Sequence, residues 1–258
     1  MNFLNISIKM IKFFRKIRQK LLTENRLNKY LLYAIGEIIL VVIGILIALQ
    51  VSNWNQNRLD NIERKEIIKN LHNEFIQNKK QISNILKSYK RAKGSSLELL
   101  KYIGTQEKVL SNKRTIDSLF DRMFTAVDYS PSNNVINEII SSGKLNSLKN
   151  EIILEKLYDW QNIIYICLSR EEKNERWVFE ELIPYTNSYI SWRDIGVASN
   201  YSWSTKGKIA TNYIYIFNDL KFENILENYI YFLDQSEKRY KEALVLIDEI
   251  IKITIENN

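Results

Sequence analysis

Residues 31–49 run apolar for nineteen positions, broken by a single charge, Glu37. At ~1.5 Å per residue such a helix is roughly 28 Å long, close to the ~30 Å hydrocarbon core of a bilayer. The pattern predicts a transmembrane helix over 30–51, followed by Trp54 at headgroup level. Downstream the pattern becomes amphipathic. From residue 60 to about 93, Ile67, Leu71, Phe75, Ile82, Leu86 and Tyr89 fall on one face of a long helix, with Gly94 as its cap and a short helix over 96–103. Ile116, Leu119, Phe120 and Met123 stripe a helix over 115–127. A turn at 128–132 follows, and Ser132 or Asn133 is placed to cap a helix over 133–141. Ile153, Leu157, Trp160, Ile164 and Cys167 face inward from a helix over 151–183 that Pro184 stops. Phe222, Ile225, Tyr229, Phe232, Ser236, Tyr240, Ala243, Ile247, Ile250 and Thr254 approach heptad spacing in a last helix suited to antiparallel pairing with the 60–93 helix. The run 211–217 fits strand or helix equally. The fold class is all-α, one transmembrane helix plus an elongated extracytoplasmic helical bundle. Its parts are a basic cytoplasmic tail (1–29), the span (30–51) and the bundle (52–258).

Charge gives the span a direction. The formal net charge is +7, which for a whole chain would suggest nucleic acid. Residues 1–29, however, hold eight basic side chains and one acid, so removing them from 37 basic and 30 acidic residues leaves 29 of each. A balanced body argues against a nucleic-acid partner. The positive-inside rule puts the N-terminus in the cytoplasm and the body outside it. Lys12, Arg15, Lys16 and Lys20, set among Phe14, Ile17 and Leu21, read as a basic helix on the anionic lipid of the cytoplasmic face, or as a plain positive flank that serves topology alone. The residues after the span supply no small-residue cleavage site, so the segment reads as an uncleaved signal anchor.

The blocks MIKFFRKIRQKLL and NKYLLYAIGEIILVVIGILIALQVSNWN, and the later NVINEIISSGKLNSLKNEIILEKLYDWQN, carry a family likeness. They resemble the bacterial family known as domain of unknown function 6090. The resemblance implies a single-pass membrane protein of Gram-negative bacteria and no activity; joined to the orientation given by charge, it leads to an expected inner-membrane location with a periplasmic C-terminal domain. It also implies that such chains begin at the position of Met10, so that 1–9 would be a start-site artefact.

Within the span Ala34, Glu37, Val41, Gly44, Ala48 and Val51 recur at alternating spacings of three and four. Small members on such a stripe let a second helix approach closely, which marks Glu37, Val41, Gly44 and Ala48 as an expected membrane-helix interface. An acid roughly 10 Å inside the apolar boundary costs a few kcal/mol and needs a reason. Three remain open: a hydrogen bond across a homo-oligomer or an envelope membrane-protein partner, proton exchange, or a reach back toward Tyr33 and the cytoplasmic edge. Assembly ranks before proton transfer.

Catalytic patterns are missing. The one histidine, His72, cannot furnish paired zinc or di-iron ligands, and no phosphate-binding glycine loop or nucleophile elbow occurs. The one cysteine, Cys167, excludes an intrachain disulfide and sits on an apolar helical face. No cofactor or metal is expected, and the chain is not expected to be an enzyme. The charged run 170–176 reads as a solvated face. Tyr185, Tyr189, Trp192, Tyr201 and Trp203 crowd the least regular stretch, 185–208. Trp192, Tyr201 and Trp203 are candidates for a ligand or partner loop, against the plainer reading that the rings plug one end of the bundle. The leading reading is a structural or interaction protein of the cell envelope that assembles through its membrane helix. The alternative is a ligand-binding or sensory module that signals through a membrane partner.

Overall fold

A computed structural model describes residues 15–16, 27–124 and 131–256. Lys12, Lys20 and most of the 10–22 segment lie outside the described residues, as do Met10 and most of the 128–132 turn. The described chain is all-α. It divides into two compact units, Met1–Glu63 and Arg64–Asn258.

In the first unit the described elements are helical residues Arg15 and Lys16 and the start of helix α1 (Leu27–Leu100). The large apolar side chains from Leu31 to Val51 are all exposed, Leu32 and Leu40 the most. Among the described residues this is the one helix long and apolar enough to cross a membrane. A fully exposed apolar helix in water would be costly, about 25 cal/mol for each Å² of apolar surface.

The second unit is built on three interlocking seams. On α1 the buried positions Ile68, Leu71, Phe75, Asn78, Ile82, Ile85, Tyr89, Ala92, Ser96 and Leu99 alternate steps of three and four. Helix α5 (Glu151–Trp177) repeats the pattern through Ile153, Leu157, Trp160, Ile164 and Cys167. The last helix, α9 (Leu220–Glu256), does so from Phe222 and Leu226 through Thr254. A 3.5-residue repeat on each of three helices is the pattern of coiled-coil packing. Contacts between α1 and α9 descend in opposite order: His72 Nδ1 to Thr254 Oγ1 at 3.0 Å, Lys79 to Asp248 at 2.6 Å, the Tyr89 and Tyr240 rings at 5.8 Å, and Lys93 to Glu237. The pair is antiparallel, as the pattern predicts. Phe75 meets Trp160 edge-on at 5.1 Å, which brings α5 against α1.

Shorter elements complete the unit: α2 (Gln106–Ser111), α3 (Lys113–Met123), α4 (Asn134–Ser141), α6 (Ile183–Asn187), α7 (Trp192–Ala198) and α8 (Tyr213–Ile216), with a 3₁₀ turn at Lys144–Leu148. Run 211–217 therefore resolves to a single helical turn. Its Tyr213 and Phe217 join Phe120 and Phe222 in an aromatic cluster.

Five local expectations need correction. The helix expected over 115–127 ends at Met123, where Phe124 turns extended with a ψ of 130°. Gly94 does not end the first helix; α1 continues to Leu100, because Ala92, Ser95, Ser96 and Leu99 are buried around it and Ser96 Oγ donates to the Ala92 carbonyl. One interior glycine costs about 1 kcal/mol against alanine, which that packing offsets. The stop comes at Gly104, whose φ of +68° suits glycine and whose N–H donates to the Phe217 carbonyl at 2.8 Å. Neither Ser132 nor Asn133 caps α4 with its side chain. Ser132 Oγ donates to Glu74 at 2.5 Å, Asn133 accepts the Trp160 indole N–H at 2.9 Å, and Glu74 on α1 accepts the Val135 N–H at 3.3 Å instead. Pro184 does not stop the 151–183 helix. A π turn at Val178–Leu182 intervenes, and Pro184 enters α6 in its first turn, where no N–H is needed. On α9 the core position is Leu233, fully buried, while Phe232 is half-buried against Trp177 at 5.5 Å.

Candidate functional site

Past Cys167 the seam of α5 turns polar. The next two seam positions are Glu171 and Asn174, both within the charged run expected to face solvent. Asn174 is only 6% exposed. Its Nδ2 donates to Ser236 Oγ at 2.9 Å and to the Tyr89 hydroxyl at 3.3 Å, while its Oδ1 is buried without a partner. Glu171, one turn earlier, faces the Tyr240 hydroxyl on α9. Helices that pack by heptads need not fill every layer with apolar side chains; an asparagine in the seam fixes register at a cost in stability.

Beside this polar layer lies a cavity of roughly 620 Å³, within the range of small-molecule sites. Helix α1 contributes Tyr89 and Arg91 to its wall; Asp121 comes from α3, with Phe124 just beyond that helix. Glu171, Asn174 and Glu175 come from α5, and Trp192 and Ile195 from α7. Val178 and Phe179 stand on the π turn, Ile183 just beyond it, and Tyr201 on the loop after α7. A π turn inserts one residue into the helical repeat and re-aims the side chains beyond it. Here it places Phe179 in the wall while Leu182 remains fully buried in the core. The Trp192 ring lies 5.1 Å from that of Phe124, and its indole N–H donates to Asn187 at 2.6 Å. Tyr201 donates its hydroxyl to Asp121 at 2.5 Å and stacks on Trp203 at 4.9 Å.

Burial, aided by Glu175, pushes the Glu171 carboxyl up to about 7, against a Tyr240 hydrogen bond that lowers it. Burial, reinforced by Glu171, keeps the Tyr89 and Tyr240 hydroxyls protonated, the latter through its hydrogen bond to that carboxyl. Burial likewise pushes the Cys167 thiol up to about 12, which makes it a poor nucleophile. For Glu171 the native state holds a proton that the unfolded chain gives up above the ordinary carboxylate value of 4.5. Its contribution to stability is therefore greatest in acid and is lost as pH rises from about 4.5 to about 7. Screening by solvent at this partly open site reduces the effect to about 1–2 kcal/mol. Thermal unfolding of wild type against Glu171→Gln checks this: the wild type loses a few degrees across that window that the variant does not lose.

The wall depends on Gly196 in α7. A Cβ there would stand 2.1 Å from Ser204 Oγ, 2.9 Å from Ser204 Cβ and 3.2 Å from Tyr201 Cδ2. Alanine at this position gains up to about 1 kcal/mol of helix propensity and loses about 1–3 kcal/mol to the forced shift. Gly196→Ala is expected to lower stability by about 1 kcal/mol in urea unfolding and to displace Tyr201 from Asp121.

Of the expected loop residues, Trp192 and Tyr201 stand in the cavity wall, whereas Trp203 lies outside it, 77% exposed. Tyr185 is buried and Tyr189 half-buried, stacked on Tyr215 at 4.6 Å; these rings belong to the packed end. In the span Val41 and Ala48 are exposed, and a Cβ on Gly44 would meet nothing within 4 Å. Glu37 is half-buried and engaged in an interaction of its own, as is Tyr33. Arg15 and Lys16 are exposed. The 170–176 run hid Glu171 and Asn174; extending the 153–167 heptad by one repeat reaches both.

A family model matches residues 37–174, more than half of the chain. The protein belongs to DUF6090, a family of unknown function. The resemblance to this family is thereby borne out; the match begins at Glu37 and contains the whole 134–162 block. No curated protein and no solved structure matches the chain. The DUF6090 match takes in Glu37, Tyr89, Arg91, Asp121, Glu171 and Asn174. Glu175, Phe179, Trp192 and Tyr201 complete the cavity from beyond it.

Proposed function

We propose that this DUF6090 chain is a membrane-anchored ligand-binding module. In this reading the N-terminus is cytoplasmic, the span crosses the inner membrane of a Gram-negative envelope, and residues 64–258 bind a small molecule in the periplasm. The observation that carries it is the roughly 620 Å³ cavity, lined by the aromatic rings of Phe124, Phe179, Trp192 and Tyr201 beside a polar layer. A purely structural bundle gains nothing from leaving that space unfilled, since side chains around a void forgo packing contacts that a filled core makes. The role is binding rather than catalysis. Balanced charge on the body and the basic tail support the orientation.

A ligand-binding module needs an output, and the Glu37 stripe supports one. The reading gives Glu37, Val41, Gly44 and Ala48 to a second membrane helix, from another copy or an envelope partner, with Lys12, Arg15, Lys16 and Lys20 on anionic lipid. Cross-linking in native membranes tests this part; Glu37→Leu leaves the partner set altered if the stripe is the interface and unaltered if it is not.

The ligand reading is tested by a ligand-observed NMR screen of small fragments against the full chain in nanodiscs. Fragments that bind wild type are expected to lose about tenfold or more in affinity to a Trp192→Ala/Phe179→Ala variant, whose replaced rings are both partly solvent-exposed. A screen with no binders, or with binders indifferent to both substitutions, contradicts it.

A further inference from the structure

We infer that the cavity and the aromatic pair at its edge take a saccharide, one pyranose ring inside and the next laid on Trp203. The inference rests on the ligand-binding reading above and adds the chemical class. Trp203 is the aromatic that reading leaves without a task. It is 77% exposed, yet its ring stacks on Tyr201 at 4.9 Å with the planes 20° apart. Tyr201 is itself tied to the cavity wall, its hydroxyl to Asp121 at 2.5 Å and its N–H to the Gly196 carbonyl at 2.9 Å. The backbone beyond is held as well. The Ser204 N–H donates to the Tyr201 carbonyl at 3.0 Å, Arg193 Nε to the Thr205 carbonyl at 3.1 Å, and the Gly207 N–H to Asp194 at 2.8 Å. Ordering a large side chain costs entropy that burial normally offsets. Here the ring is held while most of it stays in water, and apolar surface presented in that way marks an interaction site.

Two features name the occupant. The first is shape. The C–H bonds on one face of a pyranose are apolar and weakly positive, which matches the negative face of an aromatic ring. Trp203 offers such a face outside the cavity, and Trp192 and Phe179 offer ring surface inside it. The second is that the uncommitted polar groups of the wall are of both kinds. Arg91 uses none of its N–H donors among the described residues, and Glu175 accepts from nothing there. Asp121 keeps Oδ2 after Tyr201 takes Oδ1. A bare anion would suit Arg91 and be repelled by the carboxylates, and a bare cation would meet the reverse. A hydroxyl both donates and accepts. A neutral ring bearing several hydroxyls therefore satisfies Arg91, Asp121 and Glu175 together, with no net charge placed in the cavity. A free amino acid also carries both charges, but it leaves the Trp203 face uncovered.

Ligand-observed NMR titration of the full chain in zwitterionic nanodiscs tests this, with cellotriose, triacetylchitotriose, glucose, sorbitol and phenylalanine as probes. At least one trisaccharide is expected to bind about tenfold tighter than glucose. Sorbitol, which has the hydroxyls but no flat apolar face, is expected to bind more weakly than glucose. Trp203→Ala is expected to remove the tenfold gain and leave glucose unchanged, while Trp203→Phe keeps most of it. Trp203 is exposed, so neither variant disturbs the core. Arg91→Gln, also at an exposed position, is expected to weaken glucose and trisaccharide alike by about fivefold. Cosedimentation with purified cell-wall sacculi separates the two sources of such a sugar. Retention that Trp203→Ala abolishes assigns it to a wall polymer, and binding of the soluble sugars alone assigns it to free saccharide. Sorbitol or phenylalanine binding as tightly as the trisaccharides overturns the assignment, as does a trisaccharide indifferent to Trp203→Ala. Absence of binding by soluble sugars and sacculi alike overturns it too. Fragment-screen hits that lose affinity to the Trp192→Ala/Phe179→Ala variant then leave the ligand cavity standing, and a screen without hits overturns that reading as well.

Discussion

Trp160→Ala lowers the stability of the helical unit by about 4 kcal/mol, the largest loss expected of any single substitution in the chain. Trp160 is fully buried, meets Phe75 edge-on at 5.1 Å, and donates its indole N–H to Asn133 at 2.9 Å. Truncation opens a large cavity between α1 and α5, and that region is closed by helices that cannot collapse inward without breaking their own seams. It also strands the Asn133 oxygen at the start of α4, adding an unmet acceptor to the void. In a domain of this size each kcal/mol moves the melting temperature by about 2–4 °C, so a drop of roughly 8–16 °C is expected by calorimetry. Trp160→Phe restores part of the volume without the N–H and should fall between the two. A loss under about 1 kcal/mol for the alanine variant would mean that α5 does not pack on α1 as described.

Tyr213→Phe has the next largest effect. Its hydroxyl donates to Asp117, a carboxylate only 9% exposed beneath the Phe120 cluster. Burial raises the Asp117 pKa, and Asp194 adds to the rise; the Tyr213 hydrogen bond is the main influence holding it down. Removing one oxygen leaves a buried charge with its principal donor gone, a loss of about 2–3 kcal/mol near neutral pH. Acid relieves the defect. A carboxyl whose native pKa is raised further is favoured in acid, so the deficit of Tyr213→Phe shrinks as pH falls through the Asp117 titration. Adding Asp117→Asn to the variant should recover part of the loss at neutral pH. Urea unfolding at several pH values checks both statements. A deficit independent of pH would show that Asp117 does not depend on this hydroxyl.

The long helices were legible because each keeps one period over many turns. Leu71, Phe75, Ile82 and Tyr89 on α1, and Tyr240, Ala243, Ile247 and Ile250 on α9, fall where the repeat puts them. The long apolar stretch at the start of α1 was legible from length and hydropathy alone. What the pattern missed was set by tertiary contact. Gly94 looks like a cap until four buried neighbours hold the helix through it, and Ser132 looks like a cap until Glu74, 58 residues away, accepts its hydroxyl. Pro184 looks like a stop until the π turn shifts the hydrogen-bond frame ahead of it. Half of the cavity shared this fate. Trp192 and Tyr201 stood out as aromatics in an irregular stretch, but Glu171 and Asn174 sat in a run of charges whose composition says solvent. Only their register on the α5 seam says otherwise, and Asp121 and Arg91 carry no local signal at all.

The chain's five tryptophans offer the most direct measurement of whether the cavity binds. Trp192 lines it, Trp203 stacks on its wall residue Tyr201, Trp160 is fully buried, Trp177 donates to the Ile225 carbonyl, and Trp54 is exposed in the first unit. With 5-fluorotryptophan incorporated into the full chain in nanodiscs, ¹⁹F NMR reads all five at once during titration with the tightest-binding hits of the fragment screen. A ligand-binding cavity predicts a saturable shift of the Trp192 resonance, a smaller one for Trp203, and no change at Trp160 or Trp54. Five unmoved resonances, or movement of Trp54 alone from ligand partitioning into lipid, would contradict it.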